Sequence, residues 1–381
     1  MEELKLENQM LKQEIERLKK QLMTKKDSDT VVQLACGLKH SLALFKDGTI
    51  KGWGNNEFGQ SQAQSFLVEG KKAIQIACGQ RHSVALLDDG TLRGWGDGLV
   101  TFSNEGEDKK LVKITKNLLD FPQFTQKVIR IICGKLSSCA LLEDKRTVVT
   151  WGYPFTEEET IFTYDKDVKQ IECGEVNYFI ALFDDGTIQI HGYFTTHSLA
   201  EIEELLNTIK ENHKSIKRIA CGGQFFLALS DEKFISYGNN YLHLGLNLNE
   251  VIKYENITNV THFGCGIKYC VIVTNNNHIK IIGREFIEKY IAKVIDRNAF
   301  DRNAFDINAL LKTKLKTDFE VTSNVVHLAC GPEHFTILLE NGDFISYGNN
   351  DFGQCNKPAF LSDIIYEKKY LKYKNKYLQL K

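Results

Sequence analysis

An almost unbroken apolar run, Ser41-Leu42-Ala43-Leu44-Phe45, is followed by Asp47-Gly48 and then by the alternating Thr49-Ile50-Lys51-Gly52-Trp53. The run predicts a largely buried strand and the alternation a returning one, with Asp-Gly supplying the positive-φ turn of a tight hairpin. Asp89-Gly90, Asp185-Gly186 and Asn341-Gly342 repeat that turn at matching places. At Asp144-Lys145, Asp231-Glu232 and Asn275-Asn276 it is replaced, and a longer or looser turn is expected there.

Each hairpin sits inside a larger unit. A segment of the form apolar-x-apolar-x-Cys-Gly recurs seven times, at Cys36, Cys78, Cys133, Cys173, Cys221, Cys265 and Cys330, with a mean step of 49 residues. A second Gly follows each Cys by 17 to 19 residues, preceded by a bulky residue, as in Trp53-Gly54, Trp151-Gly152 and Tyr347-Gly348. Such a unit is long enough for four short strands, but a single sheet of that size cannot bury both of its faces. Radial stacking into a closed ring solves this. The expectation is an all-β fold, a seven-bladed β-propeller over residues 27–363, flanked by an N-terminal helix (1–26) and a short C-terminal basic helix (364–381).

Three stretches carry a family resemblance. Leu34 to Leu44 (LACGLKHSLAL), Ile76 to Leu86 (IACGQRHSVAL) and the trailing Trp53 to Gln60 (WGNNEFGQ) resemble the regulator of chromosome condensation repeat. The resemblance covers roughly residues 31–356. Neither the closing Trp-Asp of WD repeats nor the double Gly of kelch repeats recurs. It implies a seven-bladed propeller, in agreement with the independent count of repeats. In the family's founding members it also implies guanine-nucleotide exchange on a small GTPase through a projecting hairpin, and chromatin binding through a basic N-terminal tail.

The repeats are uneven. The signature residues Cys36, Gly37 and His40, Cys78, Gly79 and His82, and Cys330, Gly331 and His334 keep the full pattern in repeats one, two and seven. Ser137, Asn177, Phe225 and Tyr269 stand at the His position of repeats three to six. In a closed ring the three His-bearing repeats are neighbours, so one arc keeps the pattern and the other has diverged. Each His is read either as a hydrogen-bonded brace of its own blade or as part of a binding arc.

Three connections exceed what a blade needs. Residues 97–127 show no clear motif. Residues 193–215 hold a capping box at Ser198 and an amphipathic stretch. Residues 284–324 hold the tandem pentapeptides Asp296–Phe300 and Asp301–Phe305, a mark of local duplication. Such inserts are expected to decorate one rim.

At the N-terminus, Leu4, Leu11 and Leu18 fall at heptad position d, with Asn8, Ile15 and Leu22 at a. Glu7 and Glu14 lie opposite Lys12 and Lys19 across the seam of a parallel two-stranded coil, and Asn8 favours a dimeric register. A homodimer through these residues is the expectation, the alternative being one helix packed on the propeller. The C-terminal tyrosines, Tyr366 to Tyr377, make a helical stripe among six lysines. That ending also resembles tails common in proteins of amoebal giant DNA viruses.

Charge sharpens the picture. The total is −1, with +2 on residues 1–26 and +5 on 364–381, so the body carries −8 and is a poor match for polyanions. Nucleic acid is therefore disfavoured as a partner except through the C-terminal lysines. With no eighteen-residue apolar run and no signal-peptide core, a membrane partner is disfavoured. An intracellular site, cytoplasmic or nuclear (in a host cell if the chain is viral), is expected rather than secretion. Seven of the ten Cys occupy equivalent places too far apart to bridge, and Cys139, Cys270 and Cys355 lack a Cys-x-x-Cys partner. Neither a metal site nor a cofactor is expected, and no catalytic constellation stands out. The leading expectation is a non-catalytic protein-interaction scaffold that binds a protein partner on a propeller rim. The second is a guanine-nucleotide exchange factor for a small GTPase.

Overall fold

The structure is a computed structural model that describes residues 9, 10, 12–14, 16, 30–97, 99–105, 111–117, 119–152, 161–174, 178–192, 215–230, 234–238, 252–253, 259–283, 286, 318–321 and 323–364. Seven antiparallel sheets follow one another along the chain, each built from contiguous residues. Their innermost strands are Val31–Cys36, Ala73–Cys78, Val128–Cys133, Val168–Cys173, Ile216–Cys221, Val260–Cys265 and Val325–Cys330. Each touches the inner strand of the next sheet, and the seventh returns to the first, which closes a seven-bladed propeller.

The second strand of every blade is its driest element. His40–Phe45, His82–Leu87, Ser137–Leu142, Tyr178–Phe183 and His334–Leu339 are buried at every position. These strands are covered on both faces, which explains why they read as continuous apolar runs rather than as alternation. Their side chains interleave with neighbouring blades in a chain of clusters, such as Leu42, Leu44 and Ile50 with Ile76, Ala85 and Leu87. A third strand completes each sheet, and a short fourth strand is added at Ile161–Thr163, Ile252–Lys253 and Asp318–Glu320.

The replaced turns are as tight as the Asp-Gly ones, contrary to the expectation of looser geometry. Lys145 donates its backbone N–H to Leu142 O at 2.9 Å, as Gly48 does to Phe45 O at 2.8 Å, and adopts φ 59° to do so. Asn277 plays the same part at φ 62°. Residues 231–233 lie outside the described residues.

Ring closure is made by packing rather than by strand pairing. Residues 357–363 supply no outer strand; Ala359–Ile364 form a 3₁₀ helix. Leu361 is fully buried against Val31, Phe45 and Leu338, while Phe360 meets Phe45 and Trp53 edge to face. Trp53 Nε1 donates to Gln354 O at 2.9 Å. The ends of the propeller are thus joined by packing and side-chain hydrogen bonds rather than by a shared sheet.

Strand direction gives the ring two faces. Inner strands begin, and the Asp-Gly hairpins turn, on one face. The Cys-Gly turns and the ends of the third strands lie on the other. All three long connections leave from that second face, after Gly96, Gly192 and Gly283. The first forms a two-stranded hairpin, Leu99–Glu105 with Leu111–Asn117, seven residues a side. The described residues of the N-terminal segment are helical. Leu4, Asn8, Leu11, Ile15, Leu18 and Leu22 lie outside the described residues, as do the capping box, the tandem pentapeptides and 365–381.

Candidate interaction site

The signature residues of blades one, two and seven meet at the blade junctions. His40 Nε2 lies 2.9 Å from Ser83 Oγ, His82 Nε2 lies 3.4 Å from Ser138 Oγ, and His334 Nε2 lies 2.7 Å from Ser41 Oγ. Each His reaches into the following blade, so it braces a junction rather than its own blade. Ser83 Oγ gives its proton to Gln60 O at 2.9 Å, so His40 Nε2 must be the donor and Nδ1 is bare. His40 Nδ1 and His334 Nδ1 indeed have no partner. Burial pushes all three imidazoles far below their ordinary value, to about 3 for His40 and His334 and about 4 for His82. They are neutral structural groups.

Gly after each Cys follows from the same geometry. A Cβ on Gly37 would overlap the His40 ring and stand 2.6 Å from Gly79 O. Cys36 Sγ sits 3.2 Å from Thr336 Oγ1 across the junction, and burial raises its pKa to about 11. The thiol is a small packing group.

In the diverged arc the brace changes chemistry. Tyr178 Oη donates to Phe225 O at 2.8 Å, and Tyr269 Oη to His334 O at 2.6 Å, with Gly331 O at 2.8 Å. The residue equivalent to His in repeat four is therefore Tyr178, not Asn177: Gly174 N donates to Tyr178 O as Gly37 N does to His40 O. Phe225 keeps blade five apolar there, and Ser137 Oγ in blade three finds no partner. Cys139, which lies outside the seven equivalent positions, touches Cys173, with sulfurs 3.2 Å apart between blades three and four.

A second set of residues was not singled out from the sequence. The third position of the inner strand is Gln33, Gln75, Arg130, Gln170, Arg218, His262 and His327 in turn, polar every time. Gln33 Nε2 donates to Ile76 O at 2.9 Å while its Oε1 accepts from Ile76 N at 2.8 Å, and Gln75 and Gln170 staple Ile131 and Ile219 alike. Arg130 and Arg218 donate to Lys169 O and Thr261 O at 3.0 and 2.7 Å. This collar rings the central channel. The signal was present: a polar residue at the third position of the hexapeptide seven times over, and the one polar residue of an otherwise apolar hexapeptide in four of them.

The collar borders an open cavity of about 790 Å³ at the mouth where the inner strands begin. Every inner strand bulges at its second residue, which opposes no partner on the second strand. A bulge re-aims the extra side chain, and here those side chains are exposed. In blades seven, one, two and three they are Val326, Val32, Ile74 and Ile129; in blades four and five they are Lys169 and Lys217. Below them Glu172 is half-buried, its pKa raised to about 7 by burial and moderated by Gln170, Arg130 and Arg218. Among the described residues no cluster of His, Cys, Asp or Glu could hold a metal ion, and no helix is long and apolar enough to cross a membrane.

Comparison with known proteins follows this geometry. The family model of the Regulator of chromosome condensation (RCC1) repeat matches residues 31–60, 73–99 and 325–354, which are blades one, two and seven. No curated protein sequence matches. Among solved structures, Prp20p from Saccharomyces cerevisiae, described with its binding properties to Gsp1p and histones, is similar. Its TM-score is 0.56 at 19% identity, covering 91% of this chain and 86% of that one. Yeast RCC1 (Prp20) bound to Kap60 gives 0.57 at 19% identity, covering 90% and 83%. The ectodomain of the Arabidopsis thaliana receptor kinase ACR4 gives 0.53 at 13% identity, covering 84% and 95%. At these identities the likeness speaks to the fold, and the viral resemblance of the C-terminal ending finds no support in it. Three of the seven repeats thus match the RCC1-repeat model, and the ring they belong to has the propeller fold of the RCC1-like structures.

Proposed function

We propose that the chain is a non-catalytic, intracellular protein-interaction scaffold that binds its partner on the face from which the three long connections leave. The observation carrying this reading is their common origin. A ring braced at its junctions by buried hydrogen bonds offers a rigid base, and Gly96, Gly192 and Gly283 all release extra chain on one side of it. Binding residues are disproportionately borne by loops on such a scaffold. The protein-binding record of Prp20p adds support by analogy of fold alone. We further propose homodimerisation through Leu4, Asn8, Leu11, Ile15, Leu18 and Leu22. Affinity capture with the full chain and with residues 27–381, alongside light scattering, tests both parts. A monomer in both cases removes the dimer, and capture that survives deletion of 99–117 and 193–214 removes the insert-bearing face.

One observation favours a second reading, nucleotide exchange on a small GTPase. The insert after Gly96 forms a two-stranded hairpin with seven paired residues a side, and a hairpin is the kind of wedge that can remodel a phosphate and magnesium site. Release of labelled GDP from Ran-type and Arf-type GTPases, with and without residues 99–117, decides it. No stimulated release across the panel excludes exchange.

A further inference from the structure

We propose that the mouth of the central channel, on the face opposite the long connections, binds a small organic anion with an apolar body. The argument rests on the bulge that every inner strand makes at its second residue. In a ring of identical blades the seven bulged side chains would be alike, and here they are sorted by type. Val326, Val32, Ile74 and Ile129 form a continuous apolar arc over four adjacent blades, each between 40% and 51% exposed. Lys169 and Lys217 occupy the same position in the next two blades and are exposed. The collar beneath divides less cleanly, with Arg130 under Ile129 and Gln170 under Lys169. Its guanidiniums, Arg130 and Arg218, stand on blades three and five, on either side of the Lys169 blade, whereas Gln33 and Gln75 stand beneath the apolar arc.

Four cations on three neighbouring inner strands face one carboxylate, Glu172, so the pocket wall is net positive in a body that is net negative. A concave wall of one sign focuses the field on an incoming counter-ion. Arg130 and Arg218 each use one N–H on a neighbouring carbonyl, which fixes the guanidinium in place and leaves further donors of the fork for a carboxylate or phosphate. The opposite wall is aliphatic and already partly out of water. The volume, about 790 Å³, lies within the range of pockets that enclose small ligands. The acidic group therefore sits on the cationic arc and the apolar body against Val32, Ile74 and Ile129. This inference is independent of which partner the other face carries.

The test uses 8-anilinonaphthalene-1-sulfonate as an anion with an apolar body, titrated into the full chain by fluorescence and calorimetry, with inorganic pyrophosphate as an anion lacking one. Saturable binding of one probe per chain is expected, with pyrophosphate at least tenfold weaker. The exposed-site variants Lys169→Glu and Lys217→Glu, singly and together, should weaken the probe at least tenfold in combination. Ile74→Ser should weaken it severalfold. Glu172→Gln should tighten it about threefold or more, a gain that no folding defect can imitate. Unsaturable binding, or affinity indifferent to both lysines and to Glu172 in variants with native circular dichroism, overturns the proposal. Loss of probe binding in the lysine variants with partner capture intact leaves the scaffold reading untouched.

Discussion

Acid should loosen the ring through its three buried imidazoles. His40, His82 and His334 stay neutral in the folded chain down to about pH 3, 4 and 3, whereas an imidazole in the unfolded chain titrates near 6.5. As pH falls through 6.5 the unfolded chain gains protons that the folded chain refuses, so stability drops with pH until the folded-state values are reached. Each His contributes about 1.4 kcal/mol per pH unit in that window, and the three together about 4. Glu172 acts in the opposite sense. Its folded-state pKa of about 7 lies above that of a free glutamate, so between pH 7 and about 4.5 it offsets up to roughly 1.4 kcal/mol per unit. Asp89 and Asp185, held low by hydrogen bonds from Lys71 and Lys166, matter only below about pH 4. For these three imidazoles and Glu172 the net loss from pH 6.5 to 5 is about 4 kcal/mol, and His191, also lowered to about 4 by burial, adds about 2 more; the sum is a large part of a typical stability of roughly 5–15 kcal/mol. Urea unfolding followed by tryptophan fluorescence at pH 7, 6 and 5 measures it. The control is H40Y/H82Y/H334Y, because Tyr fills the same slot in blades four and six without a proton to gain. A midpoint equal at pH 7 and 5, or a triple variant with the wild-type slope, would refute the reasoning.

Three further outcomes follow from the junctions and turns. Tyr269→Phe should cost about 1–3 kcal/mol by stripping the hydroxyl from two buried carbonyls, while Phe225→Tyr should gain about 0.5–1.5 kcal/mol by placing one near Gly266 O; urea midpoints moving the other way would contradict the brace. Lys145→Gly should raise stability by about 1 kcal/mol, since a residue at φ 59° suits Gly; no gain would mean the turn relaxes. Diamide should oxidise Cys139 and Cys173 to an intramolecular disulfide, detected by peptide mapping, absent in C139S and stabilising by about 3–4 kcal/mol for a loop of this length. Recovery of both thiols unmodified would show the pair cannot reach bonding geometry.

The propeller was legible because Cys-Gly and the pair of a bulky residue and Gly mark both ends of a blade's paired strands, and their spacing survives even where the turn residues do not. Asn177 was misaligned because blade four carries one extra residue between Gly174 and Tyr178, which only the hydrogen bond from Gly174 N to Tyr178 O reveals. Closure could not be read, because a 3₁₀ helix and a strand both accept Phe360 and Leu361 as apolar residues. The channel mouth was hidden for another reason. A bulge displaces Val32, Ile74 and Ile129 outward, and a pattern of two cannot announce a residue that steps out of the pattern.

The two kinds of junction brace also bear on how the chain can change over time. A His needs a Ser in the following blade, and Ser41, Ser83 and Ser138 stand only where the preceding blade supplies that His. Substituting either side alone leaves a buried polar group stranded, so blades seven, one, two and three are tied to one another in sequence as well as in space. A Tyr asks only for a backbone carbonyl, which every residue type supplies. The blade beyond it is free to replace its side chains without consent from its neighbour. Beyond Tyr178 that freedom falls on blade five, which lost the repeat signature, whereas blade seven beyond Tyr269 is still held to the signature from its other side by the bond from His334 to Ser41. The tyrosines therefore mark the junctions at which a blade can diverge without a matching change in the blade before it.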